Sequence, residues 1–139
     1  MSRQIQIPKR EHGYATHRSI ILKSDEDLAS FLKVISEQTS WNRRETFVRA
    51  LESESVDFTS ESIALFFFSE SSGSIKIGAP KAKVKDDTLD IQVSRTPPAP
   101  GMFGTTDMAF YGFAFVVKKS KVKKVTFQVG PKDPIHLTL

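Results

Sequence analysis

The sequence predicts an α+β domain in which two N-terminal helices pack on a mainly antiparallel sheet of about six strands. Three observations lead there. Apolar residues fall at helical spacing between residues 24 and 54, behind polar and acidic starts. From Val56 onward the period changes to two. The strands so marked are joined mostly by short turns rich in Ser, Asp, Gly and Lys, and short turns favour antiparallel neighbours. A single sheet wrapped around the helical layer fits these features. A small β-sandwich or half-barrel is the alternative.

Residues 1–16 are polar and interrupted by Pro8 and Gly13, which predicts a flexible or edge-lying arm. Ile20, Ile21 and Leu22 form a short β-prone run. Ser24 then stands as a helix N-cap with Asp25, Glu26 and Asp27 in the first turn, because a serine oxygen accepts from an orphan N–H and acids suit the dipole. Leu28, Phe31, Leu32 and Ile35 follow at i, i+3, i+4 and i+7, one apolar face ending near Gln38. Asn42 is the expected cap of a second helix through Glu54, with Phe47, Val48 and Leu51 inward and Trp41 as a plug at the joint.

Residues 63–68 are apolar on both alternating faces, which predicts a central strand covered on two sides. Ser69 to Gly73 reads as a turn. Ile75 and Ile77 start a strand that Gly78 and Pro80 bend before Val84. Asp86, Asp87 and Thr88 make a hairpin connection, and Leu89, Ile91 and Val93 alternate with Asp90, Gln92 and Ser94 to give one wet face. Residues 96–107 form a long Pro/Gly loop. Residues 109–118 are a strand with Phe113, Phe115 and Val117 inward, and Val125, Phe127 and Val129 mark the next. Pro131 and Pro134 give the end the look of a tail. The domain organisation expected is an arm at 1–16, one α+β domain at 17–130 and a tail at 131–139.

The chain has 139 residues, enough for one domain with its own core. It contains no cysteine, which removes disulfides, Cys-ligated metals and a thiol nucleophile. It contains no apolar run of about 18 residues, the length of a membrane-spanning helix. Residues 1–8 carry one charge, on Arg3, and no signal-peptide core. A net charge of +4 permits an acidic partner, but both signs alternate along most of the chain.

No chemical motif stands out. His12, His17 and His136 lie near the ends without metal-ligand spacing, and no Gly-x-Ser-x-Gly elbow accompanies them. Asp86, Asp87 and Asp90 lack the spacing of a calcium loop. Phosphate-binding glycine patterns are missing. No catalytic residue, metal or cofactor is therefore predicted.

Two binding surfaces are. The turn Ser71, Ser72, Gly73 and Ser74 and the loop carrying Pro98, Pro100, Gly101, Met102 and Phe103 could together meet a protein partner. Long Pro/Gly loops are often functional, and apolar anchors carry interface energy. The second surface is basic: Lys81, Lys83 and Lys85 on one strand face and Lys119, Lys121 and Lys123 in a turn. With Phe110, Tyr111 and Phe113 as stacking rings, such a sheet would grip nucleic acid. An apolar ligand pocket among Phe66, Phe68, Phe113 and Phe115, between helices and sheet, is a third expectation.

Several stretches also carry a likeness. Val56-Asp57-Phe58 precedes the strand 63–68, and a turn containing Gly73 follows it. Asp86-Asp87-Thr88-Leu89 makes a hairpin, Pro97-Pro98-Ala99-Pro100-Gly101 a loop, and residues 109–119 a strand with Tyr111 after Phe110. In order and spacing, residues 56–127 resemble the C-terminal domain of the PrcB-like family, subunits of an exported bacterial protease complex. The family turn Thr-Gly-Gly-Tyr is here Ser72-Gly73-Ser74. The resemblance implies a non-enzymatic accessory that binds or stabilises a protease or another envelope protein. It also implies an exported chain whose leader is absent here; a cytoplasmic location is the alternative.

Overall fold

The computed structural model describes residues 2–99 and 107–139. It has two α-helices and two mainly antiparallel four-stranded sheets, eight strands in all. The strands are β1 (Ser2–Ile5), β2 (Ile20–Leu22), β3 (Glu61–Glu70), β4 (Lys76–Lys85), β5 (Thr88–Thr96), β6 (Ala109–Lys118), β7 (Lys124–Val129) and β8 (Ile135–Thr138). The helices are α1 (Asp25–Ser36) and α2 (Arg44–Glu52), preceded by a 3-10 turn at His12–Thr16. Strand order is β1-β6-β3-β2 in the first sheet and β4-β5-β7-β8 in the second. Among the described residues, no helix is long and apolar enough to cross a membrane.

The arrangement is three layers, not one sheet around helices. The two sheets bury a core between them that includes Phe66, Ile91, Phe113, Phe115 and Phe127. The opposite face of the first sheet packs under the helices through Leu22, Ile35, Phe47, Leu51, Ile63, Leu65 and Val116. The expectation of a doubly covered strand at 63–68 identifies this middle layer. What it does not reveal is that β4, β5, β7 and β8 leave the first sheet and lie across its second face. Strand periodicity marks an inward face but not which sheet owns it.

The central pair is β3 with β6, antiparallel from Glu61 opposite Lys118 to Glu70 opposite Ala109. Since β6 lies in the first sheet, it returns the chain to the end where β5 began. β7 then pairs parallel to β5, from Thr88 opposite Lys124 to Val93 opposite Val129. The β4–β5 hairpin turns at Asp86 and Asp87, where Asp86 takes φ 57°. Aspartate is among the few residues that tolerate that left-handed conformation.

Both chain ends are built into sheets. The arm forms edge strand β1 on β6. Residues 131–139, expected as a tail, contain β8, paired with β7 from Lys124 opposite Thr138 to Phe127 opposite Ile135. Ile135, Leu137 and Leu139 pack against the inter-sheet core. Their alternation was a strand signal that the two prolines masked.

Ser24 caps α1 as expected, its hydroxyl accepting from the Asp27 N–H at 3.1 Å. The start of α2 differs. The Asn42 side chain is not its cap. Instead the Glu11 carboxylate accepts from the backbone N–H of Asn42 and, at 3.2 Å, from that of Arg43. Sequence rules look for a cap beside the helix, and this one arrives from 31 residues away. Trp41 is half-buried at the joint, with Nε1 donating to Gln38 at 2.9 Å. Its ring lies over Gly13, where a Cβ would come within 2.2 Å of it.

Candidate functional site

The turn after β3 and residues 97–99, which follow β5, leave the sheets at one end of the molecule. β4 begins as β5 ends, with Lys76 opposite Thr96. The Gly73 N–H donates to the Asp107 carbonyl at 3.1 Å, tying the turn to the segment that leads into β6. Within the turn, Ile75 N–H donates to the Ser72 carbonyl and Ser74 N–H to the Ser72 hydroxyl. Ser71 is exposed; Ser72, Gly73, Ser74 and Pro98 are half-buried. Gly73 also allows a close approach, because a Cβ there would stand 2.6 Å from the Arg10 guanidinium. Arg10 in turn pairs with Asp107 at 3.3 Å. Pro100, Gly101, Met102 and Phe103 lie outside the described residues.

A groove of about 330 Å³ adjoins this end, lined by Arg10, His12, Arg43, Met108 and Phe110 among others. Met108 is 55% exposed. The Arg43 guanidinium donates to the Arg10 carbonyl at 2.8 Å and lies 3.7 Å from Glu11. Sequence reading missed this wall, since Arg10 and His12 sit in the unpatterned arm and Arg43 at a helix start. They become neighbours only because residues 7–16 cross the end of the first sheet, where Glu11 N–H donates to the Phe110 carbonyl and Gly112 N–H to that of Lys9.

The buried titratable groups nearby are occupied. Glu11 is committed to capping α2. Tyr14, 2% exposed, donates its hydroxyl to the Pro8 carbonyl, and burial pushes its phenol far above the ordinary value. Glu70, also 2% exposed, accepts from Arg95 at 2.7 Å and pairs with Lys132 at 3.0 Å. Burial alone would raise the Glu70 carboxyl, but the hydrogen bonds from Arg95 and Lys132 hold it below the usual carboxylate range. Lys132 also donates to the Ser69 carbonyl and lies 5.7 Å above the Phe68 ring. This cluster ties the end of β3 to β5 and to the β7–β8 loop. It is a brace between sheets.

The lysines divide. Lys81, Lys83 and Lys85 are exposed on one face of β4, opposite Gln92, Asp90 and Thr88. Lys119 is a brace, donating to the Phe58 carbonyl at 2.7 Å and to that of Lys23 at 3.4 Å. Lys123 reaches the Lys119 carbonyl, and Lys121 is exposed. The expected stacking rings are elsewhere. Phe110, Tyr111 and Phe113 belong to β6 of the other sheet. Tyr111 and Phe113 are 5% and 3% exposed in the inter-sheet core, and Phe110 packs on the helix side against His12. Lysine stripe and rings therefore do not share a surface.

The apolar-pocket expectation also needs correction. Phe66, Phe68, Phe113 and Phe115 face the second sheet rather than the helices. Phe66 stacks on Phe127 with centroids 4.5 Å apart, and Phe68 on Tyr111 at 5.3 Å. These rings fill one another's space. The histidines are dispersed: His17 bonds Gln38, His136 bonds Thr126, and His12 meets Phe110. Among the described residues, no group of three His, Cys, Asp or Glu side chains could hold a metal ion. In comparisons with known proteins, no family model, no curated protein and no solved structure matches this chain.

Proposed function

We propose that this chain is a non-enzymatic protein-interaction domain whose contact surface is the end bearing the 71–74 turn and the 97–107 loop. The observation that supports it most is the Gly73–Asp107 hydrogen bond, which makes the two segments neighbours. Beside them, exposed Met108 and the Arg10 and Arg43 guanidinium groups border one groove. Met and Arg are enriched at interfaces, and apolar anchors ringed by polar contacts dominate their energy. Met102 and Phe103 would extend that apolar content. Following the PrcB-like resemblance, the partner is a protease or another envelope protein, and the chain works outside the cytoplasm.

The test is a pull-down with the tagged domain from soluble, envelope and secreted fractions, washed at low and high salt. Wild type should retain one protein through the high-salt wash. Phe103→Ala and Met108→Ser should each reduce that retention about tenfold, a loss of ~1.4 kcal/mol, with unchanged melting. Equal retention by all three proteins would overturn the reading. So would loss of several kcal/mol of stability in Phe103→Ala, which would make that ring core. Retained nucleic acid released by salt would move the function to the lysine face.

A further inference from the structure

β4 offers a second surface, independent of the loop end. The edge of β4 facing away from β5 pairs with no strand among the described residues. Its first half is closed off. The Lys9 ammonium donates to the Ile77 carbonyl, the register shifts between Ile77 and Pro80, and Pro80 has no N–H to offer.

Residues 81–85 are different. Their register is regular, with Lys81 opposite Gln92, Ala82 opposite Ile91, Lys83 opposite Asp90, Val84 opposite Leu89 and Lys85 opposite Thr88. Directly opposed residues share a face. Ile91 and Leu89 are 0% and 1% exposed, yet Val84 beside them is 36% exposed and Ala82 is exposed too. The inner face of the second sheet therefore loses its cover one strand before the sheet ends. On the outer face, Lys81, Lys83 and Lys85 join none of the ion pairs among the described residues.

We infer that residues 81–85 accept an extended acidic strand from a partner protein, added antiparallel to β4. Carboxylates of the partner stand opposite the three lysines, and small or branched apolar side chains cover Ala82 and Val84. Five residues span roughly 16 Å, the length of an ordinary strand. In strand addition, backbone hydrogen bonds provide affinity and alternate side chains provide selectivity. Lysines on an edge ordinarily block aggregation. Here the same spacing also decides between partners. A second copy of β4 paired antiparallel about Lys83 would set lysine against lysine at every outer position. An acidic strand in that place meets opposite charge at each one.

The experiment titrates isotopically labelled protein with an acetylated peptide of alternating Glu and Val, and with a Lys/Val peptide of equal length. The acidic peptide should shift the amide signals of 81–85 and slow exchange about tenfold or more at the alternate amides that point away from β5. The basic peptide should do neither. The triple variant Lys81→Gln, Lys83→Gln, Lys85→Gln should bind the acidic peptide about tenfold more weakly, ~1.4 kcal/mol, with unchanged melting. Equal response to both peptides would overturn the inference, as would no response at millimolar peptide. Binding that leaves exchange at 81–85 unaltered would also overturn it, since that is attraction to the face without strand pairing. A single-stranded oligonucleotide that perturbs β4 more than the acidic peptide does would replace it with nucleic-acid binding.

Discussion

The two sheets meet the same core from opposite sides but are finished differently. In the first, β3 and β6 are buried on both faces, with Ile63, Leu65 and Val116 under the helices and Phe66, Phe113 and Phe115 against the second sheet. In the second, β5 and β7 are buried on one face only, and residues 81–85 of β4 are exposed on both. A strand covered on two sides has little left to offer another molecule. A strand covered on one side or none contributes less to stability and keeps its outer face available, and β4 keeps a sheet edge as well. Stability is thus concentrated in the middle layer, and the surfaces proposed for binding lie at its loop end and at the free edge of its neighbour.

Adjacent residues of β3 test the first half of that comparison and give the largest expected effects. Phe66 points into the inter-sheet core, stacked on Phe127 and 6.3 Å from Phe115. Phe67 points to the helix side, 5.1 Å from Tyr14 and 5.8 Å from His17. Phe66→Ala should cost about 4 kcal/mol and Phe67→Ala about 3 kcal/mol, measured by denaturant unfolding, because truncating a buried ring loses transfer energy and leaves a cavity. Phe67, 7% exposed, has slightly more room to relax. A value below about 1 kcal/mol for either would mean that its core is loosely packed, and the middle layer would lose its standing.

Sequence reading and structure part at the same boundary. The doubly apolar run at 63–68 and the alternation of Leu89, Ile91 and Val93 were legible because burial itself writes those patterns. The Ser24 cap was legible because its partner is three residues away. The division into two sheets was not, since Val125 and Phe127 alternate alike whether β7 pairs with β6 or with β5. The Glu11 cap and the Glu70–Arg95–Lys132 brace were not legible either. Their partners lie 31 and 25 residues or more apart, and a lone glutamate carries no sign of its future neighbours. Of the candidate site, the 71–74 turn was legible from composition, while Pro100, Gly101, Met102 and Phe103 lie outside the described residues. The groove wall of Arg10, His12 and Arg43 was not, since its residues converge only through the crossing of the arm.

The brace that joins the two sheets gives the next effect. Glu70→Gln leaves Arg95 and Lys132 without a counter-charge. Both are partly exposed, at 21% and 35%, so water compensates in part and the expected loss is about 2 kcal/mol near neutral pH. The sign of its pH dependence follows from the direction of the shift. The folded Glu70 titrates below its ordinary 4.5, so its contribution is complete above the unfolded value and is lost as pH falls through the folded one. Wild type and Glu70→Gln should therefore differ most at pH 6–7, and the gap should close only as pH falls below the unfolded value and through the folded one. Glu61 and Asp57 are shifted in the same direction. Their acid loss is common to both proteins and cancels in the difference. A gap that stayed constant to pH 2–3 would show that the carboxylate charge is not what joins the sheets.

The smallest effect belongs to β4 and defines the other end of the comparison. Replacing Lys81, Lys83 and Lys85 together by Gln should change unfolding free energy by no more than about 0.5 kcal/mol. Their side chains are exposed and hold no ion pair among the described residues, while the methylene stems remain largely represented in glutamine. The sign of the small change is itself informative. Three like charges spaced two residues apart on one strand repel weakly, so the variant should be marginally the more stable at low salt, and that gain should vanish as added salt screens the charges. Chemical denaturation at two ionic strengths measures both quantities. A loss well above 1 kcal/mol would mean that the lysines serve the fold, through contacts on their own sheet, and are not held in reserve for another chain. A neutral result frees the lysines of any role in holding the fold and leaves them for the edge, where they oppose self-pairing and, as proposed, meet an acidic strand.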